Sequence, residues 1–178
     1  MSIEKQWRKK RRNKNFNSLH LQKMTSVPKY SADIARLKMI QWCNKAERCH
    51  WDVREKLIAW NIRQADREII IAHLIETNLL NEQRYAEAFV NDKFRLNKWG
   101  TKKIQQQLKM KGISERNIHE ALKRIEKEEN TKTIQDLIKK KEPHLKGLQL
   151  YQKKIKLARY LISKGFENDA VWRELESE

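Results

Sequence analysis

The residues best placed to do chemistry in this 178-residue chain crowd around one glycine: Lys93, Arg95, Lys98, Trp99, Lys102 and Lys103 surround Gly100. Cations beside an indole suit a single-stranded polyanion, because ammonium and guanidinium groups neutralise phosphates while an aromatic face stacks on an unpaired base. The other use of Trp99 is to plug a junction between helices and leave the lysines in water, which is the commoner fate of a large aromatic side chain. Both uses fit the sequence.

A second basic run, Arg8-Lys9-Lys10-Arg11-Arg12, lies in a leader of different character. Residues 1–30 hold nine Lys and Arg against the single acid Glu4, a surplus of eight within a net charge of +17. A field of that sign attracts polyanions and speeds their association. The leader has no apolar periodicity and carries Pro28 near its end, so it is expected to be a disordered basic arm that binds nucleic acid, the alternative being a tail that only aids solubility. Lys139, Lys140 and Lys141, with Lys153, Lys154 and Lys156, read as exposed helix positions.

Catalysis finds little support. The sequence has no Gly-rich phosphate loop and no Ser, His and Asp set in a recognisable context, and its five histidines (His20, His50, His73, His119, His144) are scattered. Groups that catalyse must converge, and these do not, so a non-enzymatic protein without a cofactor is expected. Cys43, Cys49 and His50 offer three metal-ligating groups but no fourth, at a spacing that matches no zinc motif, and a reduced cysteine pair is the expectation.

The elements that must position these residues are announced by a repeat. Leu108-Lys109-Met110-Lys111-Gly112-Ile113, then Ile118 and Leu122, is matched spacing for spacing by Leu161-Ile162-Ser163-Lys164-Gly165-Phe166, then Val171 and Leu175. Gly tolerates the left-handed conformation that follows a helix's last turn, and a preceding Lys suits the negative end of the dipole, so Gly112 and Gly165 are read as helix stops. Ser114 and Asn117, and Asn168 and Asp169, are candidate caps for the helices that follow. A diverged copy runs through Val53, Leu57, Trp60-Asn61-Ile62, Ile70 and Leu74, with Asn61 in the glycine's place.

Each pair has a helix in front of it, signalled by Ile34, Leu37 and Ile40, by Tyr85, Ala88 and Phe89, and by Ile134, Leu137 and Ile138. No alternating strand pattern stands out. The expected fold is all-α: about three tandem three-helix repeats, 31–80, 81–130 and 131–178, in an elongated array behind the arm 1–30. A repeat array with its own cores needs no partner to fold, so a monomer is expected. No apolar run is long enough to span a bilayer, and the N-terminus lacks the apolar core of a secretory signal, so the expected location is the cytoplasm.

The run Glu82-Gln83-Arg84-Tyr85-Ala86-Glu87-Ala88-Phe89-Val90, followed by Gly100, Lys103-Ile104, Leu108 and Lys111-Gly112-Ile113, resembles the central signature of the RecX regulatory proteins, bacterial modulators of the RecA recombinase. The tail from Lys156-Leu157-Ala158-Arg159-Tyr160-Leu161 through Lys164-Gly165-Phe166 resembles it too, as do Arg48-Cys49, Asp52-Val53-Arg54 and Lys56-Leu57 in the first unit. The resemblance implies a curved module of three-helix repeats lying in the groove of a RecA filament on single-stranded DNA, limiting filament growth and lowering ATPase, strand-exchange and coprotease activities without an active site. The chain departs from the pattern at Trp99-Gly100-Thr101, where family members often have Gly-Pro, and in its basic arm.

Overall fold

The computed structural model describes residues 27–177 and is helical throughout, with no strand among the described residues. The basic run Arg8, Lys9, Lys10, Arg11 and Arg12 lies outside them. Of the expected arm, residues 27–30 are described: the Lys29 amide donates to the Trp60 carbonyl at 2.9 Å, and Tyr30 packs edge-on against Trp60 with centroids 5.0 Å apart.

Three helices make the first group: α1 (Ala32–Cys43), α2 (His50–Ala59) and α3 (Gln64–Glu76). The second comprises α4 (Glu82–Arg95), α5 (Thr101–Met110) and α6 (Glu115–Leu122). The third is α7 (Lys127–Lys141), a 3₁₀ turn at Glu142–Leu145, α8 (Leu150–Lys164) and α9 (Asn168–Glu176). The extensive helix–helix contacts all fall within these groups.

The repeated stops share one backbone device. At the end of α2, α5 and α8 the residues Asn61, Gly112 and Gly165 take left-handed φ values of 55°, 77° and 95°. In each case the next residue's amide reaches back five positions: Ile62 to Leu57 at 3.1 Å, Ile113 to Leu108 at 3.1 Å and Phe166 to Leu161 at 3.2 Å. The left-handed residue itself donates three positions back, to Ile58, Lys109 and Ile162. This is a Schellman cap, and its apolar partners are buried in all three copies, so the turn that ends the helix also turns the chain into the core.

The caps at the following helix starts differ. The Ser114 hydroxyl accepts from the Asn117 amide at 3.3 Å, so Ser114 caps α6 and Asn117 supplies the donor. Asn168 and Asp169 cap nothing: α9 starts at Asn168, the capping position is Glu167, and no side chain bonds there. A helix that starts one residue early puts Asn168 inside the first turn, where an Asp at the next position still favours the positive end of the dipole.

Two of the leading helices bury another face than their periodicity predicts. In α1 the buried residues are Ala35, Met39 and Cys43, while Ile34 and Leu37 stay 47% and 57% exposed. Apolar residues surround that helix, so its own pattern does not select a face and the neighbouring helices do. In α4 the buried line is Tyr85, Ala86, Val90 and Phe94, with Ala88 and Phe89 half-buried. The third stripe, Ile134, Leu137 and Ile138, is buried as expected.

Two cores result. Met39, Val53, Leu57, Ile62, Ile70 and Leu74 belong to the first group's own core. The second and third groups share one, which runs from Val90, Phe94, Ile104 and Leu108 through Ile134 and Ile138 to Leu161, Phe166, Val171 and Leu175. Cys49, at the start of α2, is the residue of the first group that enters it.

Candidate nucleic-acid interface

Lys98 takes a left-handed φ of 54° after α4, and the Trp99 amide then donates to the Lys93 carbonyl at 3.0 Å. The chain thus doubles back and sets the indole between two helices. Lys93 from α4 lies 5.5 Å and Lys103 from α5 lies 4.6 Å from its ring centroid. Lys93 also lies 5.3 Å from the Phe89 ring. Trp99 is half-buried against the shared core. Packing and display are therefore combined: part of the ring fills the junction, and the rest holds two cations at the surface.

The other residues of the predicted cluster divide. Lys98 and Lys102 are exposed beside it, and the Lys102 amide donates to the Gly165 carbonyl at 3.0 Å. Arg95 does not join: its Nε reaches Glu129 at 3.3 Å, at a cleft where Arg124 also pairs with Glu87 at 2.6 Å. Helical spacing explains the separation, since Lys93 and Arg95 are two positions apart and project from different sides of α4.

Two joints position this site. Between the second and third groups the contact is backbone to backbone: the Gly100 amide donates to the Lys164 carbonyl at 2.9 Å, next to the Lys102–Gly165 bond. Between the first and second groups it is polar. Asp52 receives the Lys111 ammonium at 2.6 Å on Oδ1 and the Cys49 thiol at 3.1 Å on Oδ2, both partly buried. Arg84 grips Glu47 at 2.9 Å and the Asn78 carbonyl at 2.7 Å, and His50 Nδ1 lies 3.1 Å from Glu82. A groove of about 490 Å³ follows this joint, lined by Trp42, Arg48, Asp52, Tyr85, Phe89, Lys93 and Lys111 among others.

Burial governs the acid–base character of the joint. It raises the Cys49 thiol to about 11, reinforced by the acceptor and negative charge of Asp52. It also raises the Tyr85 phenol, which feels Cys49 and Asp52 as well. Cys43 is raised by burial too, and both cysteines are free. Neutral thiols of this kind are poor nucleophiles and poor metal ligands. Among the described residues no group of three His, Cys, Asp or Glu side chains is arranged to hold a metal ion, and no helix is long and apolar enough to cross a membrane.

Sequence reasoning quoted Asp52 and Arg84 as signature residues but missed their role in the joint, and it missed Glu47 and the second contact of Gly100 altogether. The available signal was Lys111, a lysine directly before a helix-stop glycine; the dipole explains it locally, and its partner lies 59 positions away.

Fold and site together define a tandem three-helix protein whose second and third units share a core and whose described surface carries aromatic-held cations. Two family models match it: "RecX, second three-helix domain" over residues 81–122 and "RecX, third three-helix domain" over 128–175, together just over half of the chain. The chain belongs to the RecX family. It is 33% identical over 135 residues to "Regulatory protein RecX" of Clostridium perfringens (strain 13 / Type A), 75% of this chain and 61% of that protein. It is 36% identical over 118 residues to the protein of the same name from Lactococcus lactis subsp. cremoris (strain SK11), 65% of this chain and 44% of that one. The chain thus spans about half to three fifths of the length of these relatives. A crystal structure of RecX from Lactobacillus salivarius superposes with a TM-score of 0.74 over 82% of this chain and 95% of that one, at 23% identity, a likeness of fold.

Proposed function

We propose that this protein is a non-enzymatic regulator that binds the RecA recombinase filament on single-stranded DNA, in the cytoplasm and as a monomer, and that it mainly inhibits the filament's ATPase, recombinase and coprotease activities. The observation that supports this reading is family membership through the second and third three-helix domains. Tandem three-helix units suit a regulator of a repetitive target, because modest contacts repeated along an array add through effective concentration. Lys93, Lys98, Trp99, Lys102 and Lys103 are proposed contacts on the body, Arg95 a weaker one because Glu129 already neutralises it, and Arg8, Lys9, Lys10, Arg11 and Arg12 contacts of the arm.

The test is RecA ATPase on preformed single-stranded-DNA filaments, titrated with substoichiometric protein at a salt concentration where the protein's own DNA binding is weak. Loss of activity supports the regulator. Inhibition only at stoichiometric coverage of the DNA favours a second reading, a basic helical protein that competes for single strands, which the net charge of +17 and the Trp99 cluster support.

A further inference from the structure

A half-buried ring between two half-buried cations, as at Trp99, occurs in every unit; Tyr30, with Lys29 and Lys38 at 5.6 and 4.9 Å, differs in that both of its cations are exposed. In the first, the Trp42 ring has Arg48 and Lys56 each 4.3 Å from its centroid. In the second, Trp99 has Lys93 and Lys103 at 5.5 and 4.6 Å. In the third, Tyr160 has Lys141 and Lys164 at 5.6 and 5.8 Å. All three rings and all six cations are half-buried. The first two triplets gather where the unit's first helix passes into its second, with residues drawn from α1, α2 and their loop and from α4, α5 and their loop; the third joins Lys141, the last residue of α7, to the C-terminal end of α8.

These six cations are held against aromatic rings and not by carboxylates. Among the described residues none of the six pairs with a carboxylate, whereas Arg54, Arg84, Lys109, Lys123 and Arg124 each do. The Arg48 Nε is buried without a hydrogen-bond partner. A ring attracts a cation but leaves its charge unneutralised. It also fixes a long side chain in advance, which lowers the ordering cost of a later contact. Partly desolvated, pre-positioned and unneutralised cations are the condition for capturing an anion.

The triplets are contiguous. Trp42 and Arg48 of the first share the groove of about 490 Å³ with Lys93 of the second; of the carboxylates that also line it, Glu47 is paired with Arg84 and Asp52 with Lys111, which leaves Asp92. Trp99 of the second adjoins Gly100, whose amide bonds to the carbonyl of Lys164 in the third.

We propose that the three triplets form one continuous track for the phosphate backbone of a single-stranded nucleic acid, two cations per unit. A polyanion with evenly repeated charge fits a cation pair repeated in every unit, and the half-buried rings offer surfaces for unpaired bases. The track goes beyond the regulator reading and requires no recombinase to operate.

The test is fluorescence anisotropy of a labelled oligothymidylate with the full chain, titrated over salt in the absence of RecA. Replacing Arg48 and Lys56, Lys93 and Lys103, or Lys141 and Lys164 with Gln is expected to weaken binding and to flatten the slope of log affinity against log salt by roughly 1.4 per pair, two phosphates at about 0.7 each. Replacing Lys109 and Lys123, which pair with Glu115 and Glu120, with Gln is expected to leave the slope unchanged. Restoring charge with Lys93→Arg and Lys103→Arg should restore the slope, which separates loss of charge from loss of fold. A slope unchanged in every pair variant, or one that changes at a single unit only, overturns the track. Displacement of the oligonucleotide by polyglutamate as readily as by unlabelled oligothymidylate overturns the nucleic-acid assignment in favour of an acidic protein surface. Inactivity towards RecA filaments would leave these outcomes untouched.

Discussion

Gly100 and Gly165 meet backbone to backbone across the joint between the second and third units: a Cβ on Gly100 would overlap the carbonyl carbon of Gly165, and one on Gly165 would overlap the Cβ of Lys103. Gly112 has a left-handed φ of 77° but open space around it. The two kinds of glycine constraint are therefore separable. Gly112→Ala is expected to cost about 1–2 kcal/mol, the penalty of the left-handed conformation alone. Gly165→Ala should add roughly 1–3 kcal/mol of overpacking to that penalty, and Gly100→Ala should show the overpacking without it. Urea denaturation of the three variants decides this; equal losses at Gly112 and Gly165 would show that the joint can open at no cost.

The shared core predicts cooperative folding of residues 81–177. Phe166 lies in the third unit and is 1% exposed within the same apolar cluster as Val90 and Leu108 of the second. Phe166→Ala is expected to cost about 3–5 kcal/mol. Amide hydrogen exchange should show lost protection in α4–α6 as well as in α7–α9. Leu57→Ala, in the first unit's own core, should lower protection mainly in α1–α3. Truncation near residue 149 would remove Leu157, Leu161 and Phe166 from the shared core, so the third unit's contribution to binding is better tested by surface variants.

The Asp52–Lys111 pair holds the first unit to the second at 2.6 Å with both side chains largely buried. Lys111→Met removes the cation and leaves Asp52 with the Cys49 thiol as donor, an expected loss of about 1–3 kcal/mol. Asp52→Asn with Lys111→Met should lose less than the sum of the single variants. A double-mutant cycle that closes with no coupling would mean the joint rests on apolar contacts instead.

Cys49 gives the joint an alkaline limit. Its folded-state thiol value, pushed up to about 11 from an ordinary value of 9.0, means that the native state holds its proton more tightly than the unfolded chain. The stabilisation is complete below pH 9 and is lost as pH rises towards 11, with a total of about 3 kcal/mol. Tyr85, also raised by burial, extends the loss to higher pH. Thermal denaturation from pH 8 to 11 should show a falling Tm, with a shallower fall in Cys49→Ala. At pH 8 only about one Cys49 in a thousand is thiolate, so both buried thiols should react with Ellman's reagent on unfolding and very slowly before it.

The sequence by itself determined the local events. Gly112, Gly165 and Asn61 end their helices because left-handed φ is a property of the single residue, and the apolar residue after each stop carries its own burial signal. Ser114 and the stripe at Ile134, Leu137 and Ile138 were legible for the same reason. The tertiary structure decided which face of α1 is inside: Ala35, Met39 and Cys43 are buried instead of Ile34 and Leu37, because a helix apolar on several sides is oriented by what packs on it. It also decided that Arg95 leaves the Trp99 cluster for Glu129, that Lys111 reaches Asp52, and that Gly100 faces Gly165. Those partners are separated by 34, 59 and 65 positions, and no short-range pattern in a chain encodes a contact that only the docking of one unit on another creates.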